Sequence, residues 1–245
     1  MTRPWTMRKM ADEFAQLLGM APAGVDGGNL TFARGDLQST LSIWKDRYDR
    51  AVFGWMVVTY DTALRDQMQG FGGMSIRIDH PTPSGEANPT NIPPGACYPW
   101  PASGSSLGRE ATAAVTEYGR PSLQFVRDRH DLGLLLLADT HVHRDSVWSF
   151  APTNNEPGRL AQAILLARHC GDHELERAAV AKLRRRGEEP VAPWPDYLFR
   201  QAVADWAKQY SKATGIDLSD LAKLKRKRPH YPEAPKSQDS RCGAS

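Results

Sequence analysis

Residues 37–60 of this chain read LQSTLSIWKDRYDRAVFGWMVVTY, and this stretch decides the fold. Its first part, residues 37–44, has small polar residues between leucines and an isoleucine, which is typical of a strand with one buried face. Residues 51–60 are dense in Val, Phe, Trp, Met and Tyr, the side chains that favour strands. Because the charged connection at 45–50 is short, the two runs are predicted to pair antiparallel.

Two weaker strand candidates flank this pair. Residues 30–32 open the strand-rich block, and residues 71–79 alternate apolar with other side chains. A helix precedes the block over residues 5–20, where apolar residues recur at helical spacing. The simplest arrangement of such closely spaced strands is a meander, so a small antiparallel sheet of three or four strands is predicted.

A proline-rich loop is predicted over residues 80–108. Seven of the 21 residues from 81 to 101 are proline, which removes ladder donors and prevents a helix. Loops of this length in a compact domain are functional or disordered. Large aromatic residues on loops are enriched at interfaces, so Tyr98 and Trp100 are candidate partner contacts.

The chain after the loop is predicted to be mainly helical. Gly171 ends one helix and Asp172 caps the next, which indicates a helical hairpin. Helices are expected over residues 107–118, 121–137, 158–170, 172–186, 199–210 and 217–227.

The predicted fold class is therefore α+β, with a small antiparallel sheet packed against helices and a C-terminal helical extension. Residues 1–190 form the α+β domain, which contains the loop. Residues 191–228 form the helical extension, and residues 229–245 a disordered tail.

Composition excludes several classes of protein. With 40% hydrophobic and 24% charged residues, the chain is neither collagen-like nor disordered throughout. Its longest apolar run, residues 134–138, is far shorter than the roughly 20 residues of a membrane span. No signal peptide pattern is seen and no Cys-x-x-Cys pair occurs. We therefore expect a cytoplasmic protein with reduced cysteines and no membrane contact.

Positive charge is concentrated at the C-terminal end. The net charge is +3, but residues 223–245 hold seven basic and two acidic side chains, so residues 1–222 are slightly acidic. Such a run neutralises nucleic-acid phosphates or attracts an acidic partner, unless it merely aids solubility. The candidate binding residues are Lys223, Lys225, Arg226, Lys227 and Arg228.

A string of potential metal ligands follows the apolar run. Asp139, His141 and His143 resemble the first metal-binding strand of amidohydrolase-like barrels, and alternate strand residues point the same way. Such a barrel needs about 250 residues, and too few follow the string to complete one. The alternative is two polar histidines in a loop after a helix.

The order of elements resembles a bacterial family of small α+β domains of unknown function. The corresponding pieces are Met7–Leu18, residues 30–79, the stretch Tyr118-Gly-Arg-Pro121 and residues 159–186. The likeness covers about residues 7–187, and the proline-rich and C-terminal segments depart from it. The resemblance implies no catalytic residues. It implies a protein-binding role, since some members look like immunity or defence-associated proteins.

Three function classes stay open. The leading prediction is a non-enzymatic cytosolic bacterial protein-interaction domain of an immunity or defence type, because neither a nucleophile elbow nor a phosphate loop occurs. The second is a nucleic-acid-associated protein that uses the basic C-terminal segment. The third is a metal-dependent hydrolase that uses the Asp-x-His-x-His string. No cofactor other than that metal is expected, and no catalytic residue is assigned.

Overall fold

The computed structural model describes residues 6–45, 52–68, 75–79, 100–103, 106–149, 156–188 and 196–224. Most of the predicted proline-rich loop and all of the predicted disordered tail lie outside these ranges. Among the described residues, no helix is long and apolar enough to cross a membrane.

An antiparallel sheet forms one layer of the molecule. Its central meander follows the order β1-β2-β3-β4-β5 and continues through β9 and β8, while β6 pairs with the start of β4 and with β7. The strands are β1 Gly24–Asp26, β2 Asn29–Arg34, β3 Leu37–Lys45, β4 Val52–Asp61, β5 Ser75–Asp79, β6 Trp100–Ser103, β7 Ser106–Leu107, β8 Val142–Arg144 and β9 Val147–Ser149.

The register of β3 against β4 separates a buried face from an open one. Leu41 lies opposite Val57 and both are fully buried, whereas the next pair, Thr40 and Val58, is half-buried on the other face. Alternation with period two makes this separation unavoidable once the register is set. Two polar residues on the buried face, Ser39 and Thr59, satisfy each other through a 2.7 Å hydroxyl hydrogen bond.

Helices cover the buried face and form the C-terminal half. A π-helical turn, Val115–Gly119, joins the third helix to the fourth without a break. The helices are α1 Met7–Leu18, α2 Thr62–Gln67, α3 Arg109–Ala114, α4 Arg120–Gln124, α5 Arg129–Leu137, α6 Glu156–Cys170, α7 His173–Glu188, α8 Asp196–Thr214 and α9 Ser219–Ala222.

The core lies between the sheet and these helices. Phe14 of α1 is fully buried and meets the rings of Phe53 and Trp55 edge-on, with centroids 6.1 Å apart in each pair. In the helical half, α6 packs against α5, α7 and α8. Gly133 of α5 lets α7 approach closely, because a Cβ there would clash with the side chain of Leu175.

The α+β class with a C-terminal helical part is confirmed, with differences in detail. The sheet exceeds the expected three or four strands, because β1, β8 and β9 are too short to show a clear alternation. The loop predicted to run to residue 108 ends earlier, since β6 and β7 lie within it. Pro101 is tolerated at the end of the β6–β4 ladder, where its missing N–H costs little.

Two helix predictions also change. The helix expected over residues 121–137 is interrupted, because the Asp128 carboxylate accepts a 2.8 Å hydrogen bond from the Asp131 N–H and begins a new helix, α5. The last helix ends at Ala222 rather than near residue 227. Residues 225–227 of the predicted helix lie outside the described part of the chain.

Candidate functional site

The predicted basic cluster begins at the end of α9. Lys223 is exposed and directly follows the helix, and Leu224 is the last described residue of the chain. Lys225, Arg226, Lys227 and Arg228 lie outside the described residues. The structure therefore shows the surface from which the cluster departs.

The predicted metal ligands lie at the junction of α5 and β8. The Asp139 carboxylate accepts a hydrogen bond from the Lys182 ammonium, a cation that competes with any metal for those oxygens. His141 is half-buried, and His143 is exposed on β8. Among the described residues, no group of three or more His, Cys, Asp or Glu side chains is arranged to hold a metal ion. The metal site remains a prediction from sequence.

The predicted aromatic contacts are described in part. Tyr98 lies outside the described residues, and only the backbone of Trp100 is described. That backbone belongs to β6 and lies opposite Phe53 of β4. The end of the proline-rich segment is thus joined to the sheet, and the partner role of its aromatic residues stays a prediction.

A groove between α7, α8 and α9 is the candidate binding site. It has a volume of about 410 Å³ and an apolar floor with polar side chains at its rim. Its lining residues are Val180, Leu183, Arg184, Arg200, Asp220, Leu221 and Leu224. Since Leu224 lines the groove, the basic cluster departs directly from its edge.

A second hollow, of about 480 Å³, extends the groove along α7. The two share Val180 and Arg184, so they form one strip on the surface of the helical half. Glu176 and Arg177 also line the second hollow. The name α7–α9 groove denotes both hollows together.

Arg168 fixes the position of α9, which forms one side of the groove. Its Nη1 and Nη2 donate to the two Asp220 carboxylate oxygens at 2.8 Å, and its Nε donates to Glu176 at 2.8 Å. Nη1 also donates to the Asp217 carbonyl, which precedes α9. A four-residue helix has little stability of its own, so this guanidinium fork fixes α9 against α6 and α7.

The same contacts determine the charge of the groove. The Asp220 hydrogen bonds raise the pKa of Arg168, and Arg168 in turn lowers the pKa of Asp220, so both stay ionised. The two acidic residues of the groove, Asp220 and Glu176, are therefore both paired with Arg168. The rim arginines Arg177 and Arg184 then leave an excess of positive charge.

A cysteine and a histidine near α7 do not favour covalent catalysis. Cys170 ends α6 and is exposed, but desolvation raises the pKa of its thiol, which opposes formation of the nucleophilic thiolate. His130 Nδ1 lies 2.5 Å from the Asp172 carboxylate, and this hydrogen bond raises the pKa of His130. The pair joins α5 to the start of α7.

Sequence reasoning missed the α7–α9 groove. Val180 and Leu221 are far apart in the chain, and each belongs to an ordinary amphipathic pattern. The available signal was Arg168 in the last turn of α6, followed by acidic residues at 217 and 220 that it can reach. Comparisons with protein-family models, curated proteins and solved structures found no match to this chain.

Proposed function

We propose that this chain is a non-enzymatic protein-interaction domain that binds an acidic, amphipathic helical segment of a partner protein in the α7–α9 groove. One observation carries the proposal: an apolar strip is bordered by arginines, while both acidic groove residues are engaged by Arg168. Lys223, the first residue of the basic cluster, is exposed next to Leu224 at the same edge and adds to the positive field.

The apolar floor supports a helix-in-groove mode of binding. Val180 and Leu224 are half-buried and flank the more deeply buried Leu183 and Leu221. Two or three apolar side chains of a partner helix, spaced three and four residues apart, would cover this strip. Burial of that surface supplies affinity that does not depend on charge.

The arginine rim selects an acidic partner. Guanidinium groups pair with carboxylates through two parallel hydrogen bonds, which a lysine ammonium cannot form. Arg184 lies where the two hollows of the groove meet, so it would contact a helix lying along either part. A basic groove also accelerates encounter with an acidic partner and disfavours basic ones.

Nucleic-acid binding through the basic cluster is the second candidate. It is favoured by five basic residues within six positions at residues 223–228. It makes no use of the apolar floor, and phosphate contacts alone give binding that weakens steeply with salt. The two candidates therefore differ in salt dependence and in the residues on which they depend.

A peptide selection on the full-length chain tests the proposal. A phage library of random peptides, each about four helical turns long, is selected on the protein, and the enriched peptides are synthesised and measured by fluorescence anisotropy. We expect enriched sequences with apolar residues at i and i+3 or i+4, and with Asp or Glu beside them. Arg184→Glu and Leu224→Asp should each weaken binding about tenfold or more, by reversing charge or by exposing a carboxylate to the apolar floor.

Arg120→Glu is the matched control. Arg120 is exposed on α4, outside the groove, and its reversal should change affinity less than about twofold. Enriched peptides that lack the acidic apolar pattern, or that bind Arg184→Glu and Leu224→Asp as well as the original chain, would contradict the proposal.

A parallel titration with single-stranded DNA of about 30 nucleotides separates the second candidate. Steep salt dependence, together with loss of binding when residues 225–228 are all alanine and no effect of Leu224→Asp, would favour a nucleic-acid role instead. For the metal hydrolase, which remains a sequence prediction, elemental analysis of the purified chain with and without His141→Ala is the corresponding test.

A further inference from the structure

The outer face of the sheet carries a separate hollow, different in composition from the α7–α9 groove. It has a volume of about 370 Å³ and lies over β1 to β4, with Arg65 of the last turn of α2 at its edge. Its lining residues are Asp26, Asn29, Thr31, Gln38, Thr40, Ser42, Val58, Tyr60 and Arg65.

Strand register explains why these side chains share one face. Thr31 lies opposite Thr40, and Thr40 lies opposite Val58, so the three form one row across the sheet. Asn29 lies opposite Ser42 in the next row on this face. The residues before and after these along each strand point into the core. Because side chains alternate between the two faces of a strand, the residues of both rows face outward.

The shape of the hollow follows from side-chain size. Threonine and serine in its floor are short, whereas the longer Arg65 bounds one end, where it lies over the buried Tyr60. The Arg65 guanidinium lies 3.8 Å above the Tyr60 ring centroid, and Tyr60 Oη lies 3.5 Å from Thr40 Oγ1. These contacts fix the end wall against the floor.

Charge in the hollow is balanced. Asp26 lies beside the row that contains Asn29 and Ser42, and Arg65 lies beside the row that contains Gln38 and Tyr60. These two rows are four residues apart along β3. The two rows are roughly 13 Å apart along the strands at a rise of about 3.3 Å per residue, and β1 and β4 are three strand spacings, roughly 14 Å, apart across the sheet. One acid and one base so far apart attract neither a phosphate nor a cation selectively.

The floor between them offers groups that both donate and accept hydrogen bonds. The hydroxyls of Thr31, Thr40 and Ser42 each donate one and accept others, and the Asn29 and Gln38 amides have both kinds of atom. A partner that matches such a surface also carries many hydroxyls. Val58 is the single aliphatic hydrocarbon side chain among the lining residues, so the hollow offers little to apolar side chains of a peptide.

We infer that this hollow binds a neutral saccharide of one or two sugar units. The volume accommodates a ligand of that size, and the alternating hydroxyl and amide groups match its hydroxyls in both donor and acceptor roles. Asp26 and Arg65 would orient the two ends of a disaccharide through charge-assisted hydrogen bonds. This inference is independent of the groove and of its proposed partner.

A nitrogen-15 NMR titration of the full-length chain tests the inference. The probes are glucose, galactose, mannose, N-acetylglucosamine, maltose and cellobiose, each to about 50 mM so that weak binding is detected, with inorganic phosphate and tetra-alanine as competing ligand classes. At least one sugar should shift the amides of β2, β3 and β4 in a saturable manner, while phosphate and tetra-alanine leave them unchanged.

Isosteric variants locate the binding. Thr31→Val and Thr40→Val each remove one hydroxyl while keeping shape and strand preference, and each should weaken sugar binding about fivefold. Thr116→Val, on the exposed surface of the helical turn after α3, is the matched control and should leave affinity unchanged. No saturable shift with any sugar, larger shifts with phosphate or tetra-alanine, or sugar affinity unaffected by both strand variants would overturn the inference.

Discussion

The sheet half and the helical half of this chain are held together by different forces. In β3 and β4, most inward side chains are apolar, and the outward side chains of β3 are mainly uncharged polar groups. In the helical half and where it meets the sheet, charged side chains join one element to another. These inter-element pairs are Arg129–Asp61, His130–Asp172, Arg144–Asp131, Arg168–Asp220, Lys182–Asp139 and Arg186–Glu156.

This difference shows which interactions stabilise the fold and which determine how its helices and strands are oriented. Apolar burial is non-directional and tolerates many arrangements of similar volume, whereas the backbone ladder already orients the strands of a sheet. Packed helices have no such ladder between them. Ion pairs with several hydrogen bonds are directional, so in the helical half they select one arrangement at little net gain in stability.

The largest change in the free energy of unfolding is expected in the apolar core of the sheet half. Phe14→Ala should lower the free energy of unfolding by about 3–5 kcal/mol, because a fully buried ring between α1 and β4 is replaced by a cavity. Urea unfolding followed by circular dichroism measures it. A loss that depends strongly on salt concentration would contradict the assignment of this half to apolar packing.

The second largest loss of stability is expected when the ion pair between Arg129 and Asp61, which joins the helical half to the sheet half, is broken. Arg129 donates to the fully buried Asp61 at 2.5 Å, and its other end reaches Asp36 at 3.1 Å. Arg129→Met should cost about 3 kcal/mol, because it leaves a buried carboxylate uncompensated. Urea unfolding of the variant measures this loss.

A double variant identifies the cause of that loss. Asp61→Asn combined with Arg129→Met should cost less than Arg129→Met alone, since Asn keeps the hydrogen bond to the Leu64 N–H and carries no charge. Arg120→Met, at an exposed arginine, should change stability by less than about 0.5 kcal/mol. Equal losses in the single and double variants would show that charge burial is not the reason.

A smaller effect is expected at α9. Arg168→Lys keeps the charge but loses the guanidinium fork that holds Asp220 and Glu176. Amide hydrogen exchange in residues 219–222 should accelerate about tenfold, a loss of about 1.4 kcal/mol in local stability. Arg177→Lys on exposed α7 surface is the control, and equal acceleration in both variants would contradict the role of the fork.

The smallest effect is the pH dependence of the α5–α7 junction. The Asp172 hydrogen bond raises the pKa of His130 above 6.5, so the contribution of His130 is present below pH 6.5 and is lost as the pH rises through the raised value. The Leu175 N–H, and then His130, lower the pKa of Asp172 below 3.8, so its contribution is lost only as the pH falls through the lowered value. The pair therefore stabilises the fold most between pH 3.8 and 6.5.

His130→Gln tests this window. The variant should be less stable than the original chain by under about 1 kcal/mol near pH ~5.5, with a smaller difference near pH ~9. Asp172→Asn keeps the helix cap and should return the pKa of His130 toward 6.5 in an NMR titration. An equal stability difference at both pH values would contradict the ion pair as the source.

Local patterns in the sequence predicted the elements that depend on near neighbours. Alternation in residues 37–60 gives β3 and β4, and the pairing of these strands follows from their short connection. The helical hairpin turns at Gly171, which has a φ of +67°, as expected. Asp172 caps its second helix, since the Asp172 carboxylate accepts a 2.9 Å hydrogen bond from the Leu175 N–H. These signals succeed because each acts within a few residues.

The two proposed binding surfaces could not be predicted in the same way. The α7–α9 groove joins Val180 to Leu221, and the hollow on the sheet joins Asp26 to Arg65. Each of these residues looks ordinary in its own segment. The short hairpin of β8 and β9 was missed for a related reason, since β9 is held by pairing with the distant β5.

The sequence by itself determined that this chain has an antiparallel meander, a buried and an open face for it, and a basic C-terminal segment. Periodicity, turn residues and charge are local properties, so short-range physics is enough to fix their consequences. Only the tertiary structure decided that Arg168 engages both acidic residues of the groove, leaving its rim positive. That outcome depends on the packing of α6, α7 and α9, which brings side chains from three separate segments within hydrogen-bond distance, 2.8 Å, of one another.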